Sequence, residues 1–274
     1  MSGPRPPERP AVRVTVAQLR VTDDREASTE VARRAIDTAG QAHADVVVLP
    51  EYSSGFEPAG TGPQHAEPLG GPFVTMLRAE AARTGTAVVA GTTLPGSDDQ
   101  HAVNAVVVVT GDGQIAGLYR KVHLYDAFGH RESDRLEPGP ADAPPVVVDV
   151  AGLRFGVLTC YDLRFPESAR RLVDDGAQVL VVPAAWAAGP LKAMHWRTLA
   201  VARAIENTSV VVAVGQAGPG VTGRSLVVGP DGTVGLELGE EPEIRTVDLD
   251  PGLLAEVRER NPSLAHRRYR TVPL

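Results

Sequence analysis

The chain has 274 residues, of which 43% are hydrophobic and 22% charged. That is the composition of an ordinary soluble globular protein, with length enough for a substantial core. A formal net charge of -7 lacks the positive footprint of a nucleic-acid binder, and a single cysteine excludes a disulfide-stapled scaffold.

Residues 1–10 (MSGPRPPERP) hold four prolines and no apolar stretch, so they are expected to form a disordered tail rather than a signal peptide. Residues 11–19 (AVRVTVAQL) alternate apolar and polar side chains, as a half-buried strand does. Residues 26–42 place Val31, Ala35 and Ala39 at helical spacing, with Ala32 and Ile36 beside them, and predict an amphipathic helix. Residues 45–49 (DVVVL) form a β-branched run stopped by Pro50, the mark of a buried strand. A second helix is predicted over 70–84 and a strand over 87–91. Residues 102–110 and 115–120 read as two strands flanking the turn Gly111-Asp112-Gly113.

The second half follows the same style. Strands over 145–150 and 153–159 surround Ala151-Gly152, and a helix follows Pro166. Residues 178–182 read as a strand, 193–206 as a helix and 209–214 as a strand. The glycine-rich stretch 215–223 (GQAGPGVTG) reads as a flexible loop. Strands over 224–228 and 233–238 flank Pro230-Asp231-Gly232, a second hairpin signal. A strand over 244–249 and a short helix over 251–260 complete the series. There is no fixed-period repeat and no Ser- or Gly-rich linker, so residues 11–274 are expected to form one domain. Mixed β-α-β and hairpin connections predict an α/β fold, two mixed sheets packed on each other with helices outside. The longest apolar stretch, 178–191, is interrupted by Pro183 and Pro190 and falls short of the roughly 18 residues of a membrane helix. A cytoplasmic protein with neither membrane nor nucleic-acid partners is expected.

Only two of the 27 basic residues are lysines, Lys121 and Lys192. Lysine offers a compact ammonium whose pKa responds to burial, which arginine does not. Lys121 follows a predicted strand. A cation there can lower the pKa of a neighbouring thiol and stabilise negative charge on a substrate oxygen. Glu51 follows the strand DVVVL and its proline, where α/β sheets collect active groups, and partial burial there suits acid–base work. Taken alone it reads more readily as an exposed loop glutamate. Cys160 lies between an apolar strand and a turn, so it is either a rigidly held nucleophile or a packed core cysteine. In the first case the Tyr161 N–H faces a developing oxyanion. Glu132 is either the carboxylate that holds Lys121 or a surface charge. Trp186 is either a pocket wall or a core aromatic. Seven histidines without an H-E-x-x-H pattern or paired cysteines argue against a metal, and no phosphate-binding glycine motif argues for a nucleotide cofactor.

Three segments carry a resemblance: VVVLPEYS with Glu51, YRKVHLYDAFGHRES with Lys121 and Glu132, and LTCYDLRFPE with Cys160. With HWRTLAVARAIEN and VVGPDG downstream, the chain resembles the nitrilase superfamily of carbon–nitrogen hydrolases from about residue 12 to 268. Within it, the chain is similar to the amidase branch related to ω-amidase and deaminated glutathione amidase. The resemblance implies a four-layer αββα sandwich, no cofactor and a Glu51–Lys121–Cys160 triad. It further implies that Glu132 positions the lysine, that small linear amides are hydrolysed through a thioester, and that the chain forms a homodimer or higher homo-oligomer. Carbamoyl amides and nitriles are the alternative substrates within the superfamily. Two readings compete with it: an inactive binding protein on the same scaffold, and a cysteine hydrolase served by His123 or His130. Asp162 and the ARAIEN segment are expected to be structural, with Arg164 bracing the turn through Asp162 or Glu167.

Overall fold

Runs such as Val46-Val47-Val48 have no polar side, so the strands that carry them must be covered on both faces. The computed structural model, which describes residues 11–274, meets that demand with two six-stranded sheets. The expected tail, residues 1–10, lies outside the described residues.

The first sheet draws on β1 (Val12–Gln18), β2 (Val46–Val48), β3 (Ala87–Pro95), β4 (Ala102–Val109) and β5 (Ile115–Arg120). Helix α1 (Arg25–Gln41) joins β1 to β2, and α2 (Pro72–Thr84) joins β2 to β3. The second sheet contains β6 (Val147–Val150), β7 (Leu153–Val157), β8 (Val179–Ala184), β9 (Val210–Gly215), β10 (Leu226–Val228) and β11 (Val234–Glu237). Helix α3 (Pro166–Asp174) precedes β8 and α4 (Lys192–Asn207) precedes β9. The chain then returns: β12 (Glu243–Leu249) adds to the first sheet, and α5 (Pro251–Arg260) follows. The orders are β12-β1-β2-β3-β4-β5 and β11-β10-β9-β8-β7-β6. Each sheet has a parallel centre, β1-β2-β3 or β7-β8-β9, flanked by antiparallel strands.

Strand parity assigns the layers. Val46, Val48, Val89, Val106 and Val108 meet Val179, Val181, Val210 and Val212 in the core between the sheets. The intervening Val47, Val88, Val107 and Val109 pack under α1 and α2 on Ile36, Phe73 and Leu77. Likewise Leu180, Val182, Val211 and Ala213 pack under α3 and α4 with Leu172 and Trp196. A period of two residues therefore makes three apolar layers from two sheets, an αββα sandwich.

Two strands run further than the sequence pattern indicates. β3 continues past Gly91 to Pro95 because every residue from Val88 onward pairs with β4. β8 crosses Pro183 to Ala184 because parallel pairing with β9 persists to Gly215. The expected flexible loop after β9 is instead pinned by its backbone: Ala217 N–H donates to Leu19, Ala188 N–H to Gly220 and Thr222 N–H to Trp186. No helix among the described residues is long and apolar enough to cross a membrane.

Candidate active site

Both sheets deliver side chains to one cavity of about 550 Å³, whose wall includes Glu51, Glu132, Cys160, Tyr161 and Trp186. Glu51 arrives from the end of β2. The chain at Pro50-Glu51 passes directly over Gly91 of β3. A Cβ at residue 91 would fall 2.7 Å from the Pro50 carbonyl oxygen and closer still to Glu51 Cα, so glycine permits the crossing. The Glu51 carboxylate is 1% exposed and fully engaged. Its Oε1 accepts from Asn104 Nδ2 at 2.6 Å and Lys121 Nζ at 3.0 Å, and its Oε2 accepts from the Ala185 N–H at 2.6 Å. Gln216 Nε2 donates to the Glu51 carbonyl at 2.6 Å.

Lys121 lies just past β5 and is 0% exposed. Its ammonium donates to Glu51 at 3.0 Å and to both Glu132 oxygens at 3.0 and 2.9 Å. Burial disfavours the ammonium, but Glu132 and then Glu51 outweigh it and hold the pKa well above the usual lysine value. Glu132 sits in a single 3-10 turn and also accepts from Tyr52 Oη at 3.0 Å and the Tyr125 N–H at 2.7 Å. It is thus a half-buried partner of the lysine and not a free surface charge.

Cys160 opens a 3-10 turn, Cys160–Arg164, with φ +46°. That left-handed backbone is uncommon for a residue with a side chain and is found at strained functional turns. Asp162 anchors the turn: it accepts from the Thr159 N–H at 3.1 Å, Tyr119 Oη at 2.7 Å and the His123 N–H at 3.2 Å. Burial first, and then the charge of Glu51, raise the thiol pKa well above its ordinary value. Lys121 pulls it down but is outweighed. The lysine therefore acts in the expected direction, but burial and Glu51 set the net shift. The site already holds two carboxylates against one ammonium, and burial penalises a further anion.

Trp186 answers both of its readings. It packs in the core beside Trp196, at 5.3 Å between ring centroids, and also walls the cavity. Tyr161 presents its ring edge to Tyr125 at 5.1 Å at the same cavity. Arg164 pairs with neither Asp162 nor Glu167, because its guanidinium turns into the cavity and lies 4.8 Å over the Trp186 ring. The ARAIEN segment is structural: Arg203 donates to the Leu163 carbonyl at 3.1 Å and Asn207 Nδ2 to the Arg203 carbonyl at 3.0 Å. His123 is held 2.8 Å from Asp162, stacked 3.7 Å from Phe165, and is not part of the cavity wall. His130 reaches the wall but stacks on Tyr125 at 5.2 Å.

Sequence reasoning missed Asn104, Gln216 and Tyr52. Asn104 carries a signal in retrospect, a lone amide in the otherwise apolar strand AVNAVVVV. Gln216 carries none.

The carbon–nitrogen hydrolase family profile matches residues 13–259. The deaminated glutathione amidase of Escherichia coli O157:H7 is 35% identical over 258 residues, covering 93% of this chain and 97% of that protein. The omega-amidase NIT2-B of Xenopus laevis is 32% identical, covering 93% of this chain and 95% of that protein. Among solved structures, the Caenorhabditis elegans NitFhit protein superposes with a TM-score of 0.83 at 29% identity. The alignment takes in 95% of this chain and 66% of that longer one. The chain belongs to the carbon–nitrogen hydrolase family, within the nitrilase superfamily.

Proposed function

We propose that the protein hydrolyses small linear amides by covalent catalysis at Cys160, releasing ammonia and a carboxylic acid. The single observation that carries this reading is the hydrogen-bonded Glu51–Lys121–Glu132 array, whose two carboxylates line the same cavity as Cys160. The names of the two amidases quoted above support the substrate class.

A neutral thiol is a poor nucleophile, so attack must be coupled to proton removal. Glu51 is the neighbouring base. As sulfur bonds to the carbonyl carbon, Glu51 takes the thiol proton. The carbonyl π electrons move to oxygen, where the Lys121 ammonium and the Tyr161 N–H stabilise the charge. Collapse of that intermediate expels the amine, which takes the proton from Glu51 and leaves as ammonia. A thioester stays on Cys160. Glu51 then accepts a proton from water as the water attacks. The second collapse releases the acid and restores the thiol. Glu132 keeps Lys121 charged and aimed, and Trp186 and Tyr161 wall the acyl chain.

Cys160→Ala should reduce ammonia release from short amides to background, with the circular dichroism spectrum unchanged. Turnover retained in that variant rejects the mechanism.

A further inference from the structure

Glu57, Pro58, Ala59, Gly60 and Thr61 form part of the wall of the catalytic cavity. They belong to a stretch between β2 and α2 that joins neither sheet. Its ends are tied down. The Phe56 N–H donates to the Thr22 carbonyl at 2.8 Å, and the Glu67 N–H donates to the Thr93 carbonyl at 3.1 Å. Between those ties, among the described residues, the main chain is bonded to other elements only by two arginines. Arg135 donates to the Gly60 carbonyl at 2.8 Å, and Arg25 to the Gln64 and Ala66 carbonyls at 2.8 and 3.1 Å. A stretch with so few ties opens locally at low cost.

His65 ends the single 3-10 turn of this stretch, Pro63–His65, and is 3% exposed. Its Nδ1 is buried without a hydrogen-bond partner among the described residues. His101 and His123 pair with Asp98 and Asp162, whereas His65 pairs with no acid among the described residues. The ring packs on Gly55, where a Cβ would fall 3.3 Å from its Cδ2. Four charges act on it. Arg25, at the start of α1, and Arg135 oppose a proton on the ring, while Glu57 in the stretch itself and Asp23 before α1 favour one. β3, which packs beside the turn, brings no titratable side chain, and Glu67 is occupied by the Phe73 N–H at 2.9 Å. Burial and then Arg25 prevail and hold the pKa below the ordinary histidine value. A neutral imidazole can sit here. A protonated one brings an unpaired charge into a site that offers Nδ1 no acceptor, a cost that opening the stretch removes.

We propose that His65 is an acid-sensitive latch: unprotonated, it seats residues 56–66 against the body of the protein, and protonated, it releases them and opens the cavity wall. The latch regulates the site described above, so its effect on catalysis rests on the amide-hydrolysis reading. The seated state binds the proton more weakly than the open one. Seating is therefore fully favoured above the ordinary histidine pKa, about 6.5, and is lost as pH falls from there through the lowered seated value.

Hydrogen exchange over residues 56–67, read by mass spectrometry and corrected for the intrinsic pH dependence of exchange, tests the latch without turnover. From about pH 7.5 to about pH 5, the wild-type stretch should lose protection at least tenfold while α2 keeps its own. His65→Phe, whose ring takes no proton, should keep its protection throughout. KM for a short amide should rise at least fivefold over the same interval in the wild type and less than twofold in His65→Phe. Protection independent of pH in the wild type overturns the inference. So does an equal acid loss or an equal KM change in His65→Phe, or a loss that spreads to α2 and marks general unfolding. If His65→Phe is unprotected already at the higher pH, the wild-type ring decides. Its Cε1 proton, followed by NMR, must titrate over the interval in which protection is lost, and titration elsewhere overturns the inference. If no amide is hydrolysed at any pH, the amidase reading falls and the exchange result alone decides the latch.

Discussion

At the scale of single residues, the charge count of the site decides the order of events. Lys121 is paired with two carboxylates, and its pull on the Cys160 thiol is outweighed by burial and Glu51. In the proposed mechanism a raised thiol pKa makes Cys160 wait for a base, and Glu51 is that base. Glu51→Gln removes the second-largest cause of that shift, so the Cys160 thiol should titrate at lower pH in the variant while amide turnover falls at least a hundredfold. Cys160 is the chain's only cysteine, so thiolate absorbance during a pH titration reports it without interference. An unchanged titration would show that Glu51 does not govern the thiol. The sign also fixes a stability trend. The folded pKa lies above the unfolded value near 9.0, so this group's contribution is complete below that pH and is lost as pH rises through the folded pKa. Glu51, Lys121 and Cys160 were legible from sequence because each stands just beyond a strand end within a specific motif, and Glu132 because it shares the Lys121 motif. Their partners were not. The Ala185 N–H and the Gln216 amide reach Glu51 across 134 and 165 positions, and no local pattern encodes contacts so remote.

At the scale of elements, the site depends on close backbone crossings and on one acid. Gly91 lets the β2–Glu51 segment lie on β3. Gly91→Ala should therefore displace Glu51, lowering stability by about 1–3 kcal/mol and activity by a larger factor than the stability loss explains. Urea denaturation and kcat measured on the same preparation check both parts, and normal activity would mean the crossing has slack. Asp162 has a corresponding role on the other sheet, because it joins the turn of Cys160 to the segment just after Lys121. Its binding to Tyr119 and His123 explains why Arg164 was misassigned. The side chain nearest in sequence was available, but two partners from around β5 had already filled the carboxylate. Strand and helix positions were readable from valine runs, proline stops and helical spacing. Strand lengths at Gly91 and Pro183 were not, since pairing with a neighbour overrode the local breaker.

At the scale of the molecule, each sheet supplies half of the site: Glu51, Asn104 and Lys121 from the first, Cys160 and the Ala185 N–H from the second. The packing between the sheets therefore sets the catalytic distances. Phe155 is 1% exposed in that interlayer core, and Phe155→Ala should cost about 3–5 kcal/mol, read as a lower urea midpoint. Loss of activity should coincide with the loss of secondary structure, and activity surviving the unfolding of either sheet would contradict a site divided between them. The two-sheet sandwich itself was legible, because runs apolar on both faces leave few other ways to cover twelve strands. The account as a whole is tested most directly by rapid-quench mass spectrometry of the protein mixed with a short amide. It predicts an acyl group on Cys160, heavier than the free thiol by the acyl mass and lacking the amide nitrogen. Hydrolysis of the amide during which Cys160 is never acylated, or an acyl adduct on any other residue, would contradict it.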